Sequence, residues 1–378
     1  VTGIAQDGMA MEAAGMLRKF WLGAFFATLS SGTAVQAIEF DFASYLHASK
    51  ASVPAEPSIV LASCTEPGCD PCQACDRSGI DACSLGRGCD ADGCDSLFGS
   101  ESGLLGFGII KKSETCYDDF ISPMTNPVYF EDPRQLTEAR GIFLNHKLPV
   151  FNQVPGGLPG GRIQVYAIQL RARITENLSV IAVKDGFIVS QSDVVDDGWA
   201  DLSAGLKYSL YRDAAKGRML SVGGRYEAPT GQARALQGNG DGVFDFFLSG
   251  GARIGNSAHW LTGSGFIFPS DSNQENQMWY WSNHLDTRLG ASRFYAFTEL
   301  NWYNFLKSGN AFPLPIEGGD LFNLGSVDIA GNNIVTNAFG LKFKPNRNLE
   351  TGAAWEFPLT ERRGVLDNRL SIDLILRY

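Results

Sequence analysis

Residues 368–378, NRLSIDLILRY, decide the fold. Side chains of an extended chain alternate between two faces. Leu370, Ile372, Leu374, Leu376 and Tyr378 therefore share an apolar face, and Arg369, Ser371, Asp373 and Arg377 a polar one, with Ile375 the single exception. One such strand fits a soluble sandwich as well as a barrel wall, so the sequence upstream must discriminate.

From about Leu136 onward the same alternation recurs in runs of ten to thirteen residues, punctuated by Gly, Asn, Asp and Pro clusters. In 201–210, Leu202, Ala204, Leu206, Tyr208 and Leu210 oppose Asp201, Ser203, Gly205, Lys207 and Ser209. Comparable runs lie at 137–148, 162–174, 178–189, 200–211, 217–228, 242–254, 258–268, 277–289, 293–305, 333–344, 348–358 and 368–378, twelve in all. The seventh, HWLTGSGFIF, alternates poorly and leaves its phase open. Connections after even-numbered runs are mostly tight (175–177, 255–257, 290–292, 345–347), with 212–216 a little longer, and those after odd-numbered runs are long, up to 306–332. Short turns at one end and long loops at the other are the pattern of a membrane barrel; a sandwich has no reason to sort its loops by parity.

Composition agrees. No apolar run reaches the roughly 20 residues of a membrane helix, so a membrane-spanning form must be a closed barrel, which satisfies every backbone group in lipid. A net charge of -10 argues against nucleic acid as a partner. The expected fold is all-β: a transmembrane antiparallel up-and-down barrel of about 12 strands, with a Cys-rich N-terminal extension. Trp279, Trp281, Trp302 and Trp355 fall near strand ends on outward faces, where interfacial girdles belong.

The N-terminal part reads as a series of segments. Arg18 and Lys19 followed by FWLGAFFATL (20–29) and a small-residue site ending at Ala37 make 16–37 a signal peptide, with 1–15 an over-extended start ahead of Met16. A linker (38–63), an acidic Cys-rich segment (64–116) and a pre-barrel segment (117–135) lead to the barrel, 136–378. The segment holds Cys64, Cys69, Cys72, Cys75, Cys83, Cys89, Cys94 and Cys116. Its C-x2-C-x2-C start has the spacing of iron–sulfur ligands, but the next cysteine is eight positions on and Cys75 is followed by Asp76, not His. In an exported chain an even cysteine count points to disulfides or envelope cross-links, not to a metal or other cofactor.

By the strand phases, Asp201, Lys207, Arg225, Glu227, Asp245, Arg253, His284, Asp286, Arg288, Glu299, Lys342, Glu350, Glu356, Arg369 and Asp373 face the lumen. Charges of both signs either line a water path or knit the interior shut. The segment 96–135 could plug it, and GLLGFGII (103–110) could sit in the lumen or against the membrane. Catalysis is not expected: His146, placed outward with Ile142, Leu144 and Leu148, has no outward Ser on the neighbouring strands, and G-x-S-x-G and HExxH are missing.

Three passages carry resemblances. The terminal strand, closing on Tyr378, resembles the C-terminal insertion signal of bacterial outer-membrane barrels, which the barrel assembly machinery reads. EAPTGQ (227–232) and DDFISPMTNPVYFEDPRQLTEAR (118–140) are similar to segments of exported proteins grouped with the MetA pathway of phenol degradation. The resemblance implies an outer-membrane barrel in contact with lipid, passing small hydrophobic or aromatic molecules passively or through a gate. The alternative is a structural barrel anchored in the envelope through a disulfide-linked N-terminal segment, with no transport.

Overall fold

The computed structural model describes residues 109–151 and 159–378. The signal-peptide, linker and most of the Cys-rich readings, with all cysteines but Cys116, lie outside the described residues. The strands are β1 (Glu138–Leu148), β2 (Gly161–Arg173), β3 (Leu178–Lys184), β4 (Phe187–Gln191), β5 (Gly198–Trp199), β6 (Leu202–Asp213), β7 (Arg218–Ala228), β8 (Val243–Ile254), β9 (Ala258–Pro269), β10 (Gln277–Arg288), β11 (Phe294–Lys307), β12 (Asn333–Asn346), β13 (Leu349–Pro358) and β14 (Asn368–Arg377). Each pairs antiparallel with its neighbours, and β1 pairs with both β14 and β2, which closes the sheet on itself. β3 and β4 both pair with β2 and together form the third stave of the wall, while β5 and β6 form the fourth. The barrel therefore has twelve staves.

The seam is continuous from Glu138↔Arg377 to Lys147↔Asn368, with Ile142 opposite Asp373. Its alternation is clean: Leu376 is 55% exposed and Ile375 beside it 0%, so the odd apolar residue of the terminal run points inward. Around the wall the outward face is apolar, with Leu202, Leu206, Phe246, Leu341, Leu374 and their neighbours exposed. A belt of this kind has lipid as its natural solvent. Trp279, Trp281 and Trp302 pack together on this face near the long-loop end of β10 and β11, and Trp355 stands near the same end of β13.

Two local departures from the sequence reading have physical causes. The first concerns β1, where Ile142, Leu144, His146 and Leu148 face inward, not outward. They pack against apolar residues of the long connection 308–332, which folds into the barrel mouth. His146 Nε2 lies 2.8 Å from the Val365 carbonyl oxygen, buried away from lipid. The second is the poorly alternating stave β9. It turns His259, Leu261, Gly263, Gly265 and Ile267 inward. Its pattern is faint because two of those inward positions are glycines. A Cβ on Gly263 would lie 2.9 Å from the Phe130 ring, so the missing side chain makes room for a segment inside the barrel.

Candidate conduit and its plug

That segment is the pre-barrel chain. It enters at the short-turn end, where Ser113 N–H donates to the Tyr378 carbonyl and Glu114 N–H to the Gln135 carbonyl. It reaches its tip near residues 124–130, deep in the lumen, and returns to β1 at Thr137, whose hydroxyl donates to the Lys111 carbonyl. The plug has almost no regular secondary structure of its own. Its buried amides and carbonyls would each be costly without partners, and the wall side chains supply them. Glu299 accepts from the Met124 and Thr125 N–H groups (2.7 and 2.5 Å), and Glu350 from Ser122 N–H (2.9 Å). Arg225 donates to the Val128 and Tyr129 carbonyls (2.6 and 3.0 Å). Lys207 donates to the Asp132 and Arg134 carbonyls, and Lys344 to those of Asp118 and Phe120.

Ion pairs add a second layer. Plug Glu131 is clamped between Arg171 and Lys207, 2.8 Å from each, with all three side chains buried. Asp132 and Arg134 pair within the plug at 2.7 Å. Behind them, wall groups neutralise one another: Arg140–Asp373, Lys342–Asp373, Lys342–Glu350, Arg377–Glu350, Arg377–Glu138 and Arg171–Glu138 form one connected network. On the opposite wall a line of hydrogen-bonded groups runs from plug Asp119 through His259, Asp286 and His284 to Glu299, with successive contacts of 2.6–3.2 Å. Lys207, Asp286, Glu299, Lys342, Glu350 and Asp373, which the strand phases turn inward, are thus joined around the plug.

The long-loop half of the interior is filled differently. Leu321, Phe322, Leu324 and Ile316 from the 308–332 connection pack on Ile142, Leu144, Ile163, Val165 and Ile188. Asp320 of that connection pairs with Arg369 at 2.9 Å, and Arg369 with Glu356 at 2.6 Å. The 229–242 connection, which begins within EAPTGQ (227–232), is stitched to the fourth stave: Asp201 Oδ1 accepts from Gly231 and Gly238 N–H, and Thr230 Oγ1 from Leu202 N–H. Lys184 reaches Glu227, and Arg225 Nη2 lies 2.5 Å from Asp245. Beside them in the 270–276 connection, burial pushes the Glu275 carboxyl up to about 8, with the nearby Glu227 charge adding to the effect.

Two lumen-facing assignments sit at the short-turn rim. Arg253 is partly exposed and pairs with Asp119 at 2.7 Å. Arg288 is exposed, and its Nε donates to the Ser292 carbonyl of its own turn. It stands opposite the buried Tyr295, in phase with His284 and Asp286, at the exposed rim of the lumen. Glu138, Arg140, Gln169, Arg171, Lys184, Lys344 and Arg377 hold the plug or its surrounding lattice but are missing from the sequence-derived set. The signal for the first two was a face of β1 that begins with Glu138 and Arg140 and becomes apolar at Ile142. That face runs from the ionic half of the lumen into the apolar half.

Cys116, on the entering arm of the plug, is disulfide-bonded. Among the described residues no group of His, Cys, Asp and Glu is arranged to hold a metal ion.

No protein-family model and no curated protein matches this sequence. Among solved structures, the chain is similar to an outer-membrane channel from Pseudomonas putida F1, at 11% identity and a TM-score of 0.48, covering 68% of this chain and 100% of that one. It is also similar to the NanC porin (6% identity, TM-score 0.42, 64% and 100% covered) and the KdgM porin (9% identity, TM-score 0.39, 63% and 99% covered). At this distance they transfer no substrate or activity to this chain.

Proposed function

We propose that the chain is an outer-membrane channel for small molecules, closed in this state by its own pre-barrel segment. The observation that carries the reading is a lipid-type exterior around a lumen filled by an inserted, non-strand segment. The wall holds that segment through polar and ionic contacts, which water can replace, and through apolar packing of residues such as Phe120, Met124 and Phe130. The short turns then face the periplasm and the long connections the cell exterior. The MetA-group resemblance and the apolar filling of the outer half both favour hydrophobic or aromatic solutes. No catalytic step is assigned, since the buried histidines are engaged with carboxylates and a backbone carbonyl.

Planar-bilayer conductance tests the reading. The full chain is expected near baseline, and removal of residues 117–133 to give discrete channel steps at least ten-fold larger. A folded barrel without the plug that still conducts nothing would leave a structural barrel only. The eight cysteines of the sequence support a second reading, envelope anchoring through the N-terminal segment. High-mass species on non-reducing gels that collapse on reduction would support it.

A further inference from the structure

The outer face of β14, β1 and β2 changes character in steps along the strands. At the long-loop end one cross-strand row holds Asn368, Lys147 and Arg162, with Gln191 of β4 beyond them. Lys147 and Arg162 are direct partners in that row, and both are exposed. Like charges placed opposite one another are destabilising. Asp367, in the 359–367 connection, takes Lys147 at 2.7 Å and Arg363 at 3.1 Å. Arg162 has no carboxylate partner among the described residues, although Asp193, Asp196 and Asp197 lie in the adjoining 192–197 connection. Lys147, Arg162 and Arg363 thus have Asp367 as their one paired carboxylate.

One row nearer the membrane centre, Asn145 stands opposite Gln164. Asn145 Oδ1 is buried with no hydrogen-bond partner, a costly state for an amide oxygen. Gln164 Oε1 accepts from the Tyr166 hydroxyl at 3.0 Å, and its Nε2 has no acceptor among the described residues. The third row is aromatic. The rings of Phe143 and Tyr166 are 5.3 Å apart, and Phe187, next in the row, meets Trp199 edge-on at 5.1 Å. The fourth row is Leu374, Gly141 and Ile168. A Cβ on Gly141 would meet nothing closer than the Leu374 carbonyl oxygen at 3.9 Å, so the belt has a notch there between two exposed apolar side chains.

The rows follow the order of groups along one amphiphile: an anionic head, a hydrogen-bonding linkage and a hydrocarbon tail. A cationic rim alone fits any anion. The unpartnered Asn145 oxygen and the Gly141 notch, however, lie on the lipid side of that rim, within reach of a molecule seated in the bilayer. We propose that this face binds a membrane lipid with a phosphate-bearing head group, drawn from the leaflet at the long-loop end. Lys147, Arg162 and Arg363 hold the phosphate through charge-assisted hydrogen bonds. Asn145 accepts from a hydroxyl or amide N–H of the linkage, and Gln164 donates to an oxygen beside it. An acyl chain lies over the Phe143–Tyr166 shelf and into the notch. Lys147 belongs to β1, while Arg363 and Asp367 precede β14, so the bound lipid spans the closing seam. The site stands whether or not the lumen conducts.

Native mass spectrometry of the full chain, released from dodecyl maltoside micelles with bis-phosphorylated lipid A added, tests the site. One lipid should stay bound, and the triple variant Lys147→Ala, Arg162→Ala, Arg363→Ala should cut the bound fraction at least five-fold. Arg234→Ala with Lys307→Ala removes exposed cations elsewhere at the long-loop end and should leave binding unchanged. Gly141→Leu fills the notch, alters no charge, and should cut binding at least three-fold. Equal losses from the two charge variants would reduce the rim to non-specific attraction and overturn the proposal. Displacement of the lipid by excess inorganic phosphate, with Gly141→Leu binding normally, would assign the cations to a free anion and overturn it too. Should the triple variant fail to fold, as judged by heat-modifiable gel migration, Arg162→Ala and Gly141→Leu decide: undiminished binding by both would sink the site.

Discussion

The two halves of the interior differ in how much of their filling is ionic. At the short-turn end, an irregular segment packs Phe120, Ile121, Met124 and Phe130 on the wall and is held as well by charges that satisfy its backbone and neutralise one another. At the long-loop end, an infolded connection is held by apolar packing on β1, β2 and β4. The difference teaches how each half can open. A buried ion pair is geometrically exacting and punishes loss of one partner, while an apolar cluster loses stability in proportion to the volume removed. The first half is built to stay or leave as a unit, and the second to yield one side chain at a time.

Substitutions can break that comparison. The largest effect is expected at Glu131→Ala, which leaves Arg171 and Lys207 buried without their shared carboxylate. The cost should be about 3–5 kcal/mol, read from urea midpoints in detergent micelles, together with new conductance as the plug loosens. Phe322→Ala should cost about 3 kcal/mol by the same measurement and leave the plug seated and the conductance at baseline. Equal conductance from both variants would erase the distinction between the halves.

The smallest effect is a pH dependence at the long-loop end. Glu275 is protonated in the fold because burial and Glu227 raise its pKa to about 8. A raised acid contributes stability in full below its unfolded pKa and loses it as pH rises through the folded value. Proteolysis of the 229–242 and 270–276 connections should therefore quicken between pH 6 and pH 9. Glu275→Gln should abolish that dependence, and an unchanged profile would remove Glu275 as its source.

The wall was legible in the sequence because lipid imposes a period-two outer face that nothing else competes with. Leu202 to Leu210 and Leu370 to Leu376 show it plainly. The lumen was less legible, because inward residues answer to whatever fills the barrel. Ile142, Leu144 and His146 read as a lipid face since an interior was expected to be polar, whereas this half of it is apolar. Gly263 and Gly265 blurred β9 because their role is to be small. The bulge between β3 and β4 at Lys184–Gly186 went unread in the 178–189 run, although its Asp-Gly is a turn signal. One extra residue shifts the phase, and the apolar residues on both sides of it still alternate.

Gly263 has a practical consequence. A plug seated in a notch can be lifted by a wedge, and the size of the wedge is set by a single codon. Alanine, valine and leucine at this position would press on the Phe130 ring by increasing amounts, from a site that forms no ion pair. The series should yield valves of graded leakiness with the charge lattice untouched.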